Sequence, residues 1–215
     1  GTLKGWGGPE LLDSYEIERR QVGERNVGAS RYANIGRQQW RSIATQDIFS
    51  GTPHGEASKQ ALVQVADSEQ RKGNRMIGAE LGYRYVDSPC IDNIPGGPEH
   101  RVGEYHPNVW PGSRLPHCWL DDGTAIQDHL PETYILLSLG TKPPDTTRIR
   151  KSFEATGAPV TEVRVESDRV RDLYGFDFLV LRPDMHVVWR RTQVPRNALE
   201  IVSIATGHGR PDSTK

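Results

Sequence analysis

The side chains best suited to chemistry are the two cysteines of the chain and a short run of potential metal ligands. Cys118 lies close to His117, Asp121, Asp122 and His129, while Cys90 stands well upstream. Neighbouring residues of a strand point to opposite faces, so His117 and Cys118 are poorly placed to bind one zinc ion. The Asp121-Asp122-Gly123 run also lacks the alternating oxygen ligands of a calcium loop. We therefore expect no metal site.

The elements that would position these residues follow from the apolar pattern. It predicts a buried strand over 133–139, a helix over 144–156 closed by Gly157, a strand over 160–165 and a short helix over 168–174. A hairpin and a last helix over 196–206, with Leu199, Ile201, Val202 and Ile204 inward, complete the order. We expect an α/β fold with a thioredoxin-like domain, in which a mixed central sheet is flanked by helices. Strands separated by helices predict parallel crossovers, and the hairpin predicts an antiparallel edge.

The hairpin occupies residues 175–190. Phe176, Phe178 and Val180 alternate with Leu179 and Leu181, which predicts a strand with two buried faces. Residues 182–185, Arg-Pro-Asp-Met, are typical of a tight turn because proline fixes φ. The short Asp121-Asp122-Gly123 segment predicts a second reversal between 118–120 and 124–126.

Thioredoxin-type chemistry requires a low-pKa thiol at the start of the helix after the first core strand. This position reads Gly140-Thr141-Lys142-Pro143-Pro144-Asp145 and contains no cysteine. The proline expected before the third core strand is replaced by Tyr174-Gly175. We expect Cys90 and Cys118 to be inert thiols rather than a catalytic pair.

The first half of the chain predicts two one-sided helices. The first runs from Pro9 toward Ile35, interrupted by glycines, with Leu11, Leu12, Tyr15 and Val22 as its apolar stripe. The second begins at the Thr52-Pro53 cap and ends near Asn74. We therefore divide the chain into a helical and extended segment over 1–105 and the thioredoxin-like domain over 106–215, with most of the stability after Trp110.

Composition excludes several classes of function. The net charge is −1 and the isoelectric point about 6.7, so no global field attracts nucleic acid or an anionic membrane. The sequence contains no dinucleotide-binding glycine motif, no phosphate loop and no Gly-x-Ser-x-Gly. Two cysteines favour a reducing, cytoplasmic location.

Four stretches resemble the FAD-dependent aromatic hydroxylases, the class A flavin monooxygenases. Residues 9–20 with 23–26 look like the helix near the end of their flavin domain, and residues 77–85 with Ser88-Pro89 look like the next segment. Residues 110–117, and residues 181–184 with 186–190, are similar to their C-terminal thioredoxin-like domain.

The resemblance implies a parent enzyme that uses FAD, NAD(P)H and O₂ to hydroxylate a phenolic or polycyclic aromatic substrate. The catalytic motifs of the family lie upstream of the matched region, so we expect no catalytic, cofactor-binding or metal-binding residue in this chain. The expected partners are the FAD-binding domain of the parent and, at most, a second copy of the chain. The alternative is a stand-alone redox or binding protein of thioredoxin fold.

Overall fold

The computed structural model describes residues 1–195 and 197–210, which pack into two compact units. The first unit contains Gly1–Arg20, Arg84–Glu99 and the chain from Pro107 onward. The second contains Gln21–Tyr83 and His100–His106. Both units are assembled from separate stretches of sequence. The predicted domain boundary between residues 105 and 106 stays a prediction.

The first unit is built on a four-stranded mixed sheet. Its strands are β1 (Tyr134–Leu139), β2 (Val160–Val165), β3 (Phe178–Leu181) and β4 (Val187–Arg191), in the order β2-β1-β3-β4. Strand β1 pairs with β2 in parallel and with β3 antiparallel, and β3 pairs antiparallel with β4. All six residues of β1 are buried, as its continuous apolar run predicts. The α/β fold class is thereby confirmed.

One predicted connection is wrong. Strands β2 and β3 are separated by the helix α5 (Asp168–Tyr174), yet β3 runs antiparallel to both β1 and β2. Seven helical residues span only about 10 Å, whereas a six-residue strand is about 20 Å long. The helix is too short to carry the chain back along β2, so β3 begins at the end of the sheet where β2 ends.

The other helices of this unit begin and end near the predicted residues. The helix α4 (Thr147–Thr156) starts three residues after Pro144, because the Asp145 carboxylate accepts a hydrogen bond from the Thr147 amide at 2.9 Å. It ends at Gly157, whose φ of 76° is favourable for glycine. The helix α6 (Ala198–Ala205) is capped by Asn197, and the predicted start at Arg196 lies outside the described residues.

Two predicted orientations are wrong. Leu199 of α6, which was expected to point inward, is 54% exposed. The buried residues of this helix are Ala198, Ile201, Val202, Ile204 and Ala205. Phe176 precedes β3 and contacts the core on the other side of the sheet from Phe178. The strand alternation therefore does not extend back to Phe176.

The long helix α1 (Pro9–Ile43) is continuous, which corrects the expected interruption by glycines before Ile35. An isolated glycine costs a helix only about 1 kcal/mol. In the second unit, Gly36 allows α1 to approach α2 (Pro53–Asn74): a Cβ at this position would lie 3.1 Å from the Glu69 carbonyl oxygen. The cap of α2 at Thr52 is confirmed, since its hydroxyl accepts from the Gly55 amide at 3.1 Å. A short helix α3 (Ile77–Leu81) follows.

The sheet separates two apolar cores. One packs Leu136 and Tyr134 against Phe153 of α4 and the buried face of α6, and the other packs Leu137 and its neighbours against α5. Ile91 lies within the first core, and Trp6 packs edge-on against Tyr134 with ring centroids 5.9 Å apart. The region after Trp110 therefore shares its core with residues from the first part of the chain. That this region holds most of the stability stays a prediction.

Truncation of a central leucine tests this description of the core. We expect Leu136→Ala to lower the free energy of unfolding by about 2–5 kcal/mol, because the side chain is fully buried and its removal leaves a cavity. The matched control is Leu199→Ala on the exposed side of α6, which should change stability by about 0.5 kcal/mol or less. Urea denaturation of both variants gives the comparison. Equal losses would contradict the assignment of the buried faces.

Candidate functional site

The candidate metal ligands around Cys118 each have a separate partner. The His117 ring nitrogen Nδ1 lies 3.0 Å from Gln127 Oε1, and His129 Nε2 lies 2.6 Å from the Thr124 hydroxyl. The Asp121 carboxylate pairs with Arg169 at 2.9 Å. Within residues 1–195 and 197–210, no three potential ligands converge on one point.

The two cysteines are free thiols in different surroundings. Cys118 is buried and its sulfur accepts a hydrogen bond from the Tyr174 hydroxyl at 3.3 Å. Cys90 is fully buried, with its sulfur 3.7 Å from the Glu10 carbonyl oxygen. Burial raises the pKa of Cys90 to about 11, against a usual value of 9.0. A thiol in this environment remains protonated at neutral pH and is a poor nucleophile.

The position of a thioredoxin-type thiol is occupied by a loop of different chemistry. Gly140, with φ of 85°, turns the chain out of β1. The amide of Thr141 then donates to the Asp168 carboxylate at 3.1 Å. Hydrogen bonds thus connect this loop to the start of α5 and have a structural role.

A buried ionic cluster is the most unusual polar feature of the first unit. Glu18 of α1 is only 3% exposed, and its carboxylate accepts from Arg182 at 2.5 Å and from the Ser88 hydroxyl at 2.6 Å. The second terminal nitrogen of Arg182 donates to Asp184 at 2.9 Å. Arg182 thereby joins two carboxylates while only 16% of its side chain is exposed.

The β3–β4 turn holds Arg182 and Asp184 in this arrangement. The Met185 amide donates to the Arg182 carbonyl at 2.9 Å, which closes the predicted tight turn, and Met185 adopts a left-handed φ of 65°. The Arg182 amide then donates to the His186 carbonyl at 2.9 Å. The turn therefore presents the two charged side chains on the same side.

Tyr85 and His186 cover the cluster with aromatic surface. Their rings stack with centroids 4.3 Å apart, and the Arg182 guanidinium lies 5.4 Å from the Tyr85 centroid. His186 contacts Asp184 through its amide at 3.2 Å and through Nδ1 at 3.3 Å. Tyr85 thus serves in packing, while Tyr83 belongs to the second unit, where Arg25 lies 5.4 Å from its ring.

The charges of the cluster stabilise one another. Burial lowers the pKa of Arg182, but the negative charges of Asp184 and Glu18 outweigh this and raise it above its usual value. Burial raises the pKa of Asp184, but the hydrogen bond from His186 and the charge of Arg182 outweigh it and hold this pKa at about 2. Arg182 and Asp184 are therefore both charged at neutral pH, and Arg182 connects the hairpin to α1 through its contact with Glu18.

The helix α1 shows why the cluster was missed from the sequence. The predicted stripe contains Leu12 and Tyr15, yet both are exposed, and the buried line of the helix passes through Ser14, Glu18 and Val22. These three are spaced four residues apart and share one face. A glutamate in such a line is the signal that could have indicated a buried charge with a distant partner.

A comparison with protein families matches the part of the chain that contains the mixed sheet. Residues 108–207 match the family of aromatic-ring hydroxylase C-terminal domains. The chain is thus similar to the C-terminal part of aromatic-ring hydroxylases. All four strands of the mixed sheet lie within the matched residues.

The chain matches known monooxygenases along most of its length. It is 27% identical over 220 residues to the FAD-dependent monooxygenase apdD of Emericella nidulans, covering 96% of the chain and 35% of that protein. It is 28% identical over 225 residues to the phenol 2-monooxygenase of Pseudomonas sp. (strain EST1001), covering 88% of the chain and 36% of that protein. The chain therefore spans about a third of the length of these relatives.

A solved structure supports the same assignment. RebC-10x, described in native form and bound to K252c, superposes with a TM-score of 0.80 at 28% identity. The match covers 97% of this chain and 39% of that one. Within the described residues of the chain, no helix has the length and apolar character needed to cross a membrane.

The pH dependence of stability tests the cluster. Because the folded pKa of Asp184 is about 2 and its usual value is 3.8, its contribution is present above about pH 4 and is lost as the pH falls toward 2. We expect Asp184→Asn to be less stable than wild type by about 1 kcal/mol at pH 6, since solvent screens a side chain that is 39% exposed. The difference should disappear near pH 2.

Urea denaturation at a series of pH values between 2 and 6 measures this difference. Asp172→Asn, at an exposed ion pair of α5, is the matched control and should follow the wild-type pH profile. A stability difference for Asp184→Asn that does not change with pH would contradict the ionic role of this carboxylate.

Proposed function

We propose that this chain is a non-catalytic structural or interface module of an FAD-dependent aromatic-ring hydroxylase. In the parent, FAD supplies the oxygen-activating chemistry, NAD(P)H supplies the electrons and a phenolic or polycyclic aromatic compound is hydroxylated. The observation that carries the proposal is the match to FAD-dependent monooxygenases over 96% of the chain but only 35% of the relative.

The distribution of reactive groups supports a non-catalytic role. The loop at 140–145 contains no cysteine, and the two thiols are buried, with Cys90 held protonated by its surroundings. Arg182 pairs with both carboxylates of the Glu18–Arg182–Asp184 cluster. None of these three residues lines the larger pockets of the described residues. Such a cluster stabilises a fold rather than transferring protons to a substrate.

The partner of the module in this proposal is the FAD-binding domain of the parent. Within the first unit, α1 buries Ser14 and Glu18 and leaves Leu12 and Tyr15 exposed on its other side. Apolar side chains in adjacent turns of one helix form a surface that gains free energy when a protein partner covers it. A second copy of the chain is the alternative occupant.

A stand-alone redox protein of thioredoxin fold is the second candidate function. It would require an accessible thiolate near the start of α4, and this region contains Thr141, Lys142 and Asp145 instead. The thiol of Cys118 is not accessible, because it is buried against Tyr174. The observations therefore favour the module.

Two assays on the full chain test the proposal. We expect FAD titration followed by flavin fluorescence to give no saturable binding, because no phosphate-cradling loop is present in the sequence. We also expect no acceleration of insulin reduction by dithiothreitol, and no difference between wild type and Cys118→Ser. Stoichiometric FAD binding at micromolar concentration, or redox turnover lost on that substitution, would contradict a non-catalytic module.

A further inference from the structure

The first unit contains a small cavity that Arg190 lines. It has a volume of about 330 Å³, at the lower end of the range for small-molecule sites. Its walls are largely apolar and include Pro107, Val109, Pro116 and Leu173. Arg190 and His117 are the basic side chains that line it, and no carboxylate lines it.

Arg190 is held rigidly at this cavity. Its guanidinium lies over two aromatic rings, 4.6 Å from the centroid of Trp110 and 4.5 Å from that of Phe176. Stacking on a ring engages the face of the planar group and leaves its edge, where the N–H donors point, for a ligand. These two contacts restrict the orientation of the donors before any ligand arrives.

At least one donor of Arg190 has no partner among the described residues. Its Nε is buried and lacks a hydrogen-bond partner, and within the part of the chain that the structure describes the side chain forms no ion pair. Burial and the neighbouring Arg191 lower the pKa of Arg190, although a guanidinium remains protonated at neutral pH. A fixed, partly buried positive charge without a counter-ion favours an anion.

We propose that this cavity binds a small organic carboxylate, whose charged end pairs with Arg190 and whose apolar body fills the space between Pro116 and Leu173. A guanidinium binds a carboxylate through two parallel hydrogen bonds, which gives both affinity and orientation. The apolar walls favour a ligand with a hydrocarbon or aromatic body over a small hydrated anion such as acetate. The site is separate from the buried ionic cluster and needs no flavin.

Calorimetric titration of the full chain with benzoate tests this site. We expect saturable binding of one benzoate, with affinity at least about tenfold weaker for benzamide, which lacks the charge, and for acetate, which lacks the apolar body. Equal binding of benzamide, or failure of benzoate to bind, would overturn the proposal. Binding at many sites without saturation would also overturn it, because it would indicate non-specific charge attraction.

Variants locate the binding on the protein. Arg190→Gln should weaken benzoate binding at least about tenfold, while the matched control Arg191→Gln, at the neighbouring exposed arginine, should change it less than about twofold. Leu173→Glu places a negative charge at a side chain that is 59% exposed, so it preserves the fold and should also weaken binding. If Arg191→Gln lowers the affinity as much as Arg190→Gln, or Leu173→Glu leaves it unchanged, the site is not at this cavity.

Discussion

The ion pair between Glu18 and Arg182 is the constraint on which the arrangement of the first unit depends. A carboxylate that is 3% exposed is stable only when a positive charge and hydrogen-bond donors compensate its lost hydration. Arg182 supplies the charge, and Ser88 supplies a second donor. The pair therefore requires the start of α1, the segment around residue 88 and the β3–β4 turn to meet at one point.

The remaining chemistry of the first unit is consistent with a protein part that stabilises rather than reacts. The thiols are buried, the candidate metal ligands are occupied by local hydrogen bonds, and the loop after β1 is fastened by Asp168. This pattern agrees with the similarity of residues 108–207 to aromatic-ring hydroxylase C-terminal domains. Arg190 differs from these groups, since it forms no ion pair with any of the residues that the structure describes.

Local features of the fold could be predicted from the sequence, and features that depend on distant contacts could not. The run 134–139 is apolar at every position but one, so the strand β1 could be predicted. Gly157 ends α4 and Thr52 caps α2, and both boundaries were predicted correctly. Leu199 was assigned inward because it is apolar, but the neighbouring helix decides which face is buried. The antiparallel direction of β3 depends on the length of α5, which the strand pattern does not express.

The ionic cluster could not be predicted from the sequence pattern. Glu18 and Arg182 are 164 positions apart, and charged residues on an amphipathic helix are usually assigned to its solvent face. Leu12 and Tyr15 belong to the predicted buried stripe but are exposed, whereas Val22 of the same stripe is buried. Only the three-dimensional structure shows that the helix at residues 9–20 contacts the hairpin at 181–190.

A double-mutant cycle on Glu18→Gln and Arg182→Met measures this connection most directly. We expect each single variant to lose about 3–5 kcal/mol of unfolding free energy in urea, because each leaves a buried polar group without its partner. The double variant should lose less than the sum, with a coupling energy of about 1.5–3 kcal/mol. The same cycle on the exposed pair Glu16 and Arg20 should give about 0.5 kcal/mol or less. A coupling energy for Glu18 and Arg182 as small as that of the exposed pair would contradict the account.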